Sequence, residues 1–305
     1  MESPTSTWRN LIRFQDQLSK EHYGDADTTD LDKLIGSRVP TFEGPFNNLH
    51  PTGSSAVVHK LLSPVPSPPL IVCVGLNYAD HAREANLSIP PNPVIFTKPA
   101  GKKAGFVLID ESLDAVTGPV SDILVPSEAR HLDYEPELMV IYTISSQAEL
   151  CVVISRTGKN IPEEKAYDYI LGFTAGNDIS SRFWQRQPYS GGQFCYAKSF
   201  DTFAPLGPTL LHPSQLPRGE HLDIKTFVNG EKRQDSNTGE MIFNVEKIIA
   251  HASYGTTLRA GTVIMTGTPA GVAAKLPGQP WLKHGDIVEV EIGRVGRIKN
   301  QIVFE

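Results

Sequence analysis

Beyond Pro69 the chain alternates short, β-branched apolar runs with clusters of Gly, Pro, Asn and Asp. The runs Ile71–Val74, Leu138–Ile144, Leu150–Ile154, Lys225–Val228, Thr262–Met265 and Ile287–Ile292 have the length and residue types of strands bounded by turns. Apolar positions recur at helical spacing mainly in Ala79–Asn86, Pro162–Tyr169 and Asn244–Ala252, the last with Val245, Ile248 and Ile249 on one face. Ahead of Pro69 the pattern is broken by loops. There Leu11–Phe14 reads as a short strand, Asp30–Ile35 as one or two helical turns, and Pro66-Ser67-Pro68-Pro69 as a connector. The pattern predicts a small N-terminal domain with its connector over residues 1–69 and a larger domain over residues 70–305. Strands that are not regularly followed by crossover helices disfavour a doubly wound sheet, so the expected class is α+β and mostly β. Neither Gly172–Gly176 nor Gly191-Gly192 forms a dinucleotide fingerprint, and no phosphate loop follows a strand.

Charge and composition narrow the function classes. The 305 residues carry 28 Lys+Arg against 34 Asp+Glu, a formal net charge of −6, which argues against a nucleic-acid partner. With 40% hydrophobic residues the chain holds enough apolar material to bury a core, which excludes disorder as its main state. No run approaches the ~18 uninterrupted apolar residues of a membrane span, and Met1–Asn10 is polar with no apolar stretch behind it. No membrane partner is therefore expected. The expected location is the cytoplasm, with a mitochondrial one left open. Cys73, Cys151 and Cys195 are too few and too scattered for a disulfide framework or a thiolate zinc site, so a metal would be held by oxygen or nitrogen.

Five segments are candidates for chemistry. In His131-Leu132-Asp133-Tyr134-Glu135-Pro136-Glu137 two carboxylates stand two apart before the apolar run Leu138–Tyr142. On a strand they share one face, and such a pair resists joint ionisation unless a cation lies between. Alone, a Glu-x-Glu is most often a solvated strand end. Asp178, in the polar cluster after the apolar Tyr169–Phe173, is either a turn residue or a third carboxylate, and three carboxylates suit a hard divalent ion. His81 and Glu84 lie at i, i+3 in a short helix after a strand that ends at Gly75, where the glutamate can orient the imidazole for proton transfer; the same spacing also serves surface hydrogen bonds. Lys198 is either an oxyanion stabiliser or a salt-bridge partner of Asp201, and Thr266-Gly267-Thr268-Pro269 is either a plain turn or a carboxylate-binding loop.

Taken in order, these segments resemble the fumarylacetoacetate hydrolase family from about Ile71 to Val303. The resemblance is carried by Gly75-Leu76-Asn77-Tyr78-Ala79-Asp80-His81, Phe96-Thr97-Lys98-Pro99, Tyr134-Glu135-Pro136-Glu137-Leu138, Asn177-Asp178-Ile179-Ser180-Ser181-Arg182-Phe183-Trp184-Gln185, Lys198-Ser199-Phe200-Asp201, Val228-Asn229-Gly230-Glu231, Thr266–Val272 and Gly285-Asp286. It implies a mixed β-roll fold and a homodimer. It also implies a metal site of Glu135, Glu137 and Asp178 for Mg²⁺, with Mn²⁺ or Ca²⁺ as substitutes.

By the same resemblance, His81 and Glu84 match the pair that activates water on a lid helix, Lys198 a catalytic lysine, and Gln185 a polar group at the developing oxyanion. Thr268, Arg182 and Lys98 match substrate-binding positions. The implied substrate is a small 2-oxo or 1,3-dicarbonyl acid. The leading expectation is a Mg²⁺-dependent C–C bond hydrolase of acylpyruvate-like 2,4-dioxo acids acting through an enolate. Alternatives are an oxaloacetate-type decarboxylase, a keto–enol isomerase of a hydroxymuconate-type or secondary-metabolite intermediate, and a non-catalytic metal-binding homologue. Pro136 between the glutamates departs from the family pattern and implies an edge position.

Overall fold

A computed structural model describes residues 8–100, 114–129, 143–218 and 221–305. The strands used below are β1 (Asn10–Gln15), β2 (Glu21–Asp25), β3 (Arg38–Glu43), β4 (His50–Val57), β5 (Lys60–Leu62), β6 (Ile71–Gly75), β7 (Val94–Lys98) and β8 (Ile123–Val125). They continue with β9 (Ala148–Ile154), β10 (Ile170–Asn177), β11 (Ala204–Leu211), β12 (Asp223–Val228), β13 (Glu231–Asn237), β14 (Val263–Met265), β15 (Ile287–Ile292) and β16 (Gly296–Phe304). The helices used below are α1 (Ala79–Ala85), α2 (Arg182–Gln185) and α3 (Val245–Ser253), and a further single helical turn lies at Leu31–Leu34. The expected α+β, mostly β class is what the chain adopts.

One large mixed sheet runs in the order β4-β3-β2-β1-β11-β10-β9-β14-β6-β7, with β5 also on β1. A second sheet runs β13-β12-β15-β16-β8. Strand alternation splits the apolar side chains between two cores. Leu150, Val152 and Ile154 of β9 join Ile224, Val290, Ile292 and Ile298 of the second sheet. Cys151 and Val153 face the other way, toward Cys73, Leu206 and Met265. By the same alternation Gln147 and Glu149 lie on the face of Cys151 and Val153.

α3 starts where Asn244 Oδ1 accepts the Lys247 N–H at 2.8 Å, an N-cap that satisfies one of the helix's unpaired donors. Its Ile248 and Ile249 are fully buried in the first core, each contributing about 1.5–3 kcal/mol by leaving water. The Pro162–Tyr169 segment is a 3-10 helix over Glu163–Tyr169 that runs straight into β10. Of the expected Leu138–Ile144 strand, only residues 143 and 144 are described, and Ile144-Ser145 pairs with Ser180-Ser181. β1 pairs antiparallel with β11, so the strands before Pro69 extend the same sheet. Among the described residues no helix is long and apolar enough to cross a membrane.

Candidate active site

The register of β9 on β10 sets Ala148 opposite Asn177 and Glu149 opposite Gly176. A side chain at 176 would be excluded, since its Cβ would lie 2.4 Å from Cys151 Sγ. This pairing brings Gln147 and Glu149 beside Asp178, which follows β10 directly. Around them lies a cavity of about 510 Å³ whose walls include His81, Gln147, Glu149, Asp178, Arg182, Gln185, Lys198 and Thr268. The structure thus gathers seven sequence-predicted groups: six line this cavity, and Glu84 is bonded to one of them.

Asp178 is 1% exposed and sits between two buried lysines. Lys198 Nζ donates to Asp178 Oδ2 and, at 2.7 Å, to Ser180 Oγ. Lys98 Nζ is 2.8 Å from Asp178 Oδ1 as an ion pair, while its hydrogen bonds go to Ile179 O at 3.0 Å and Phe203 O at 2.7 Å. Lys98 is therefore anchored behind Asp178, and only Lys198 is among the cavity walls. Burial alone would raise the Asp178 carboxyl, but Lys198 and Lys98 outweigh it and hold the group below the usual carboxylate range. Burial pushes the Lys198 ammonium down, opposed by Asp178 and reinforced by Arg182 and Lys98.

Glu149 is the cavity-lining carboxylate that the motifs did not single out. It is 1% exposed, and burial, then the charge of Asp178, pushes its carboxyl well above the ordinary range. One of its oxygens accepts the Gly267 N–H at 2.8 Å. The sequence did carry a signal: Glu149-Leu150-Cys151-Val152 repeats the texture of Glu137-Leu138-Met139-Val140, a carboxylate directly before an apolar run. Gln147, two residues earlier on the same face, gives its amide N–H groups to Asp178 O at 3.0 Å and Ser180 Oγ at 2.6 Å. Glu135 and Glu137 lie outside the described residues.

This donor set suits a hard divalent cation. Asp178 Oδ1 meets no hydrogen bond of good geometry among the described residues, although the Lys98 ammonium lies 2.8 Å from it, and Glu149 carries a second oxygen beyond the one bound to Gly267. The two carboxylates repel in a buried place, as Glu149 registers, and a cation between them relieves that repulsion. Oxygen ligands favour Mg²⁺, Mn²⁺ or Ca²⁺ over zinc. Among the described residues no three His, Cys, Asp or Glu side chains gather around one point. The remaining positions would fall to water, substrate, the Gln147 carbonyl or carboxylates outside the described set.

Across the cavity α1 carries the His81–Glu84 pair. Its end is closed by Asn86 in the left-handed region, φ +53°. His81 Nδ1 and Glu84 Oε2 are 3.2 Å apart, and Glu84 Oε1 accepts the Gly271 N–H at 3.1 Å. A carboxylate acceptor places the proton on Nδ1 and leaves Nε2 as the basic nitrogen. Burial lowers the His81 pKa, Glu84 opposes this, and Arg182 adds to the lowering. Arg182 is half-buried, and desolvation pushes its pKa down to about 10. It donates from Nη1 to Gln185 Oε1 at 2.6 Å, whereas its Nε and Nη2 have no partner among the described residues. Such a guanidinium is set to receive a carboxylate.

The Fumarylacetoacetate (FAA) hydrolase C-terminal family profile matches residues 70–303. Oxaloacetate tautomerase fahd2, mitochondrial, of Xenopus laevis is 39% identical over 244 residues, 80% of this chain and 68% of that one. The crystal structure of 2-hydroxyhepta-2,4-diene-1,7-dioate isomerase from Mycobacterium marinum is 30% identical, with a TM-score of 0.75 over 97% of this chain and 99% of that chain. That of 5-carboxymethyl-2-hydroxymuconate delta-isomerase from Mycobacterium smegmatis is also 30% identical, with a TM-score of 0.73 over 97% of this chain and 100% of that chain. With its fold, its buried site and these matches, the chain belongs to the fumarylacetoacetate hydrolase family and is an enzyme of that family.

Proposed function

We propose that this enzyme interconverts the keto and enol forms of a small 2-oxo dicarboxylate by moving a proton at the carbon beside the carbonyl. The observation that carries the reading is one cavity lined by both the Glu84-paired His81 and the Lys198, Arg182, Glu149 and Asp178 charges. The relatives named as an oxaloacetate tautomerase and as isomerases of unsaturated diacids support it. Glu84 fixes the tautomer of His81, whose Nε2 takes the proton from carbon and returns it at the other end of the conjugated system. Charge that develops on the carbonyl oxygen is met by the Lys198 ammonium and the Gln185 amide. Arg182 and the Thr268 hydroxyl hold the substrate carboxylates. A Mg²⁺ ion held by Glu149 and Asp178 would supply further Lewis-acid stabilisation of the enolate.

The second reading is hydrolysis of an acylpyruvate-like C–C bond, in which the same histidine deprotonates a water that attacks the distal carbonyl. The His81–Glu84 hydrogen bond favours it equally, because both reactions need a neutral imidazole. Mass spectrometry of products from oxaloacetate, acylpyruvates and hydroxymuconates, each with and without chelator, separates the cases. An unchanged mass with a faster approach to the keto–enol equilibrium, followed by the enol's absorbance, supports the proposal. Addition of water or loss of CO₂ moves the assignment to hydrolase or decarboxylase, and an inert panel removes catalysis on this substrate class.

Two further results are expected. Because burial lowers the His81 pKa, the base form persists below the ordinary 6.5. The rate therefore holds as pH falls past 6.5 and drops only when the imidazole gains its proton at lower pH, which a pH–kcat profile reads. For the metal, Glu149→Gln is expected to weaken Mg²⁺ binding by at least about tenfold in calorimetric titration. Titrating Glu135→Gln and Glu137→Gln beside it decides how the ligands divide between the two Glu-Leu segments.

A further inference from the structure

We propose that Gln234, on the second sheet, is a positioning residue that turns the Thr268 hydroxyl into a dedicated donor to substrate carboxylate. The inference rests on the reading of Thr268 as a carboxylate-binding group. Gln234 is 2% exposed and sits in β13, a strand otherwise made of surface-type side chains. Its Oε1 accepts the Ala148 N–H at 3.0 Å and the Thr226 hydroxyl at 2.6 Å. Its Nε2 donates to Thr268 Oγ1 at 2.8 Å and Pro269 O at 2.9 Å. A backbone N–H can only donate and a backbone carbonyl can only accept, so the amide has one permitted orientation.

That orientation decides what Thr268 does. Its oxygen is taken as an acceptor by Gln234, so its own proton is the group left to offer, and Thr268 is part of the cavity wall. An anion that receives this proton meets a hydroxyl already polarised by the amide behind it. The same amide holds Ala148, the residue between Gln147 and Glu149, and so ties the carboxylate wall to the Thr268 loop. The loop is pressed onto β13 at a second point: Gly271, at φ +101°, approaches so closely that a Cβ would lie 2.1 Å from Arg233 O.

The test uses malonate, an unreactive dicarboxylate, as the probe, with Kd from calorimetry and folding checked by thermal melting. Gln234→Glu keeps an oxygen for Ala148 and Thr226 but replaces the donor to Thr268 by an acceptor, which captures the hydroxyl proton. The expected Kd rises about tenfold or more, Thr268→Val raises it similarly, Thr268→Ser restores it, and Gln234→Glu adds nothing in the Thr268→Val background. Gln234→Met, of similar length and without a donor, serves if the charged variant does not fold. A folded Gln234 variant with unchanged Kd, or one whose loss persists in full beside Thr268→Val, overturns the positioning role. Unchanged Kd in Thr268→Val alone, or no malonate binding by the unaltered protein, overturns the underlying carboxylate assignment instead.

Discussion

Glu84→Gln is expected to lower turnover about 100- to 10,000-fold, the range lost when a positioned acid–base group is disabled. The glutamate does two things at once: one oxygen takes the His81 proton and the other takes the Gly271 N–H. An amide serves only one of these with an oxygen. If it keeps its carbonyl for His81, its NH₂ faces the Gly271 N–H, donor against donor, and α1 loosens from the loop. If it turns over, His81 loses the acceptor that fixes its tautomer. Either way the negative charge that stabilises the protonated imidazole is gone. Progress curves on the substrate that the panel identifies, with folding checked by thermal melting, test the effect. Full activity in this variant would remove the dyad from the mechanism.

The largest expected loss of stability follows Asp178→Asn. Lys98 and Lys198 have side chains 0% and 3% exposed, and Asp178 pairs with both. Removal of its charge leaves two ammonium groups in the interior facing, among the described residues, Glu149, itself displaced toward the neutral acid. Breaking a buried pair by deleting one partner costs about 3–5 kcal/mol, which corresponds to a fall in Tm of about 10 °C for a chain of this size. Adding Lys198→Met to Asp178→Asn removes one of the stranded charges and is expected to recover part of that fall. A melting temperature within a degree of the parent would mean that the lysines shed their protons at no cost, and the charge account would be wrong.

Elements whose signals are local were legible in the sequence. α3 announces itself by Val245, Ile248 and Ile249 at helical spacing, and these pack on one face as read, with Asn244 supplying the cap. β6 and α1 follow from an apolar run that ends at glycine before His81. β11 and β13 were not legible, for opposite reasons. β11 contains Pro205 and Pro208, which read as breakers, yet all eight of its residues are buried within the sheet. β13 has no apolar residue at all and is held as a strand by its antiparallel pairing with β12 across Asn229-Gly230, two positions at φ +51° and +79° that suit a tight hairpin.

The site divides along the same line. His81 and Glu84 are one helical turn apart, so local geometry foretells their contact. Glu149 meets Asp178 only because β9 and β10 pair in one register across 29 positions of chain (178 − 149 = 29). Gln234 reaches Ala148 from a different sheet, and a glutamine in a polar run offers nothing that separates it from its exposed neighbours.

β1 is zipped to β11 through Asn10 opposite Leu211 and Leu11 opposite Leu210, and Trp8, Phe42 and Leu49 are packed in the same core as Leu206 and Leu210. A fragment trimmed to begin at residue 70 would keep every catalytic side chain named above yet bare a raw seam of unpaired amides and greasy side chains along β11. Such an edge recruits the edge of another molecule, so the trimmed fragment would clump rather than work.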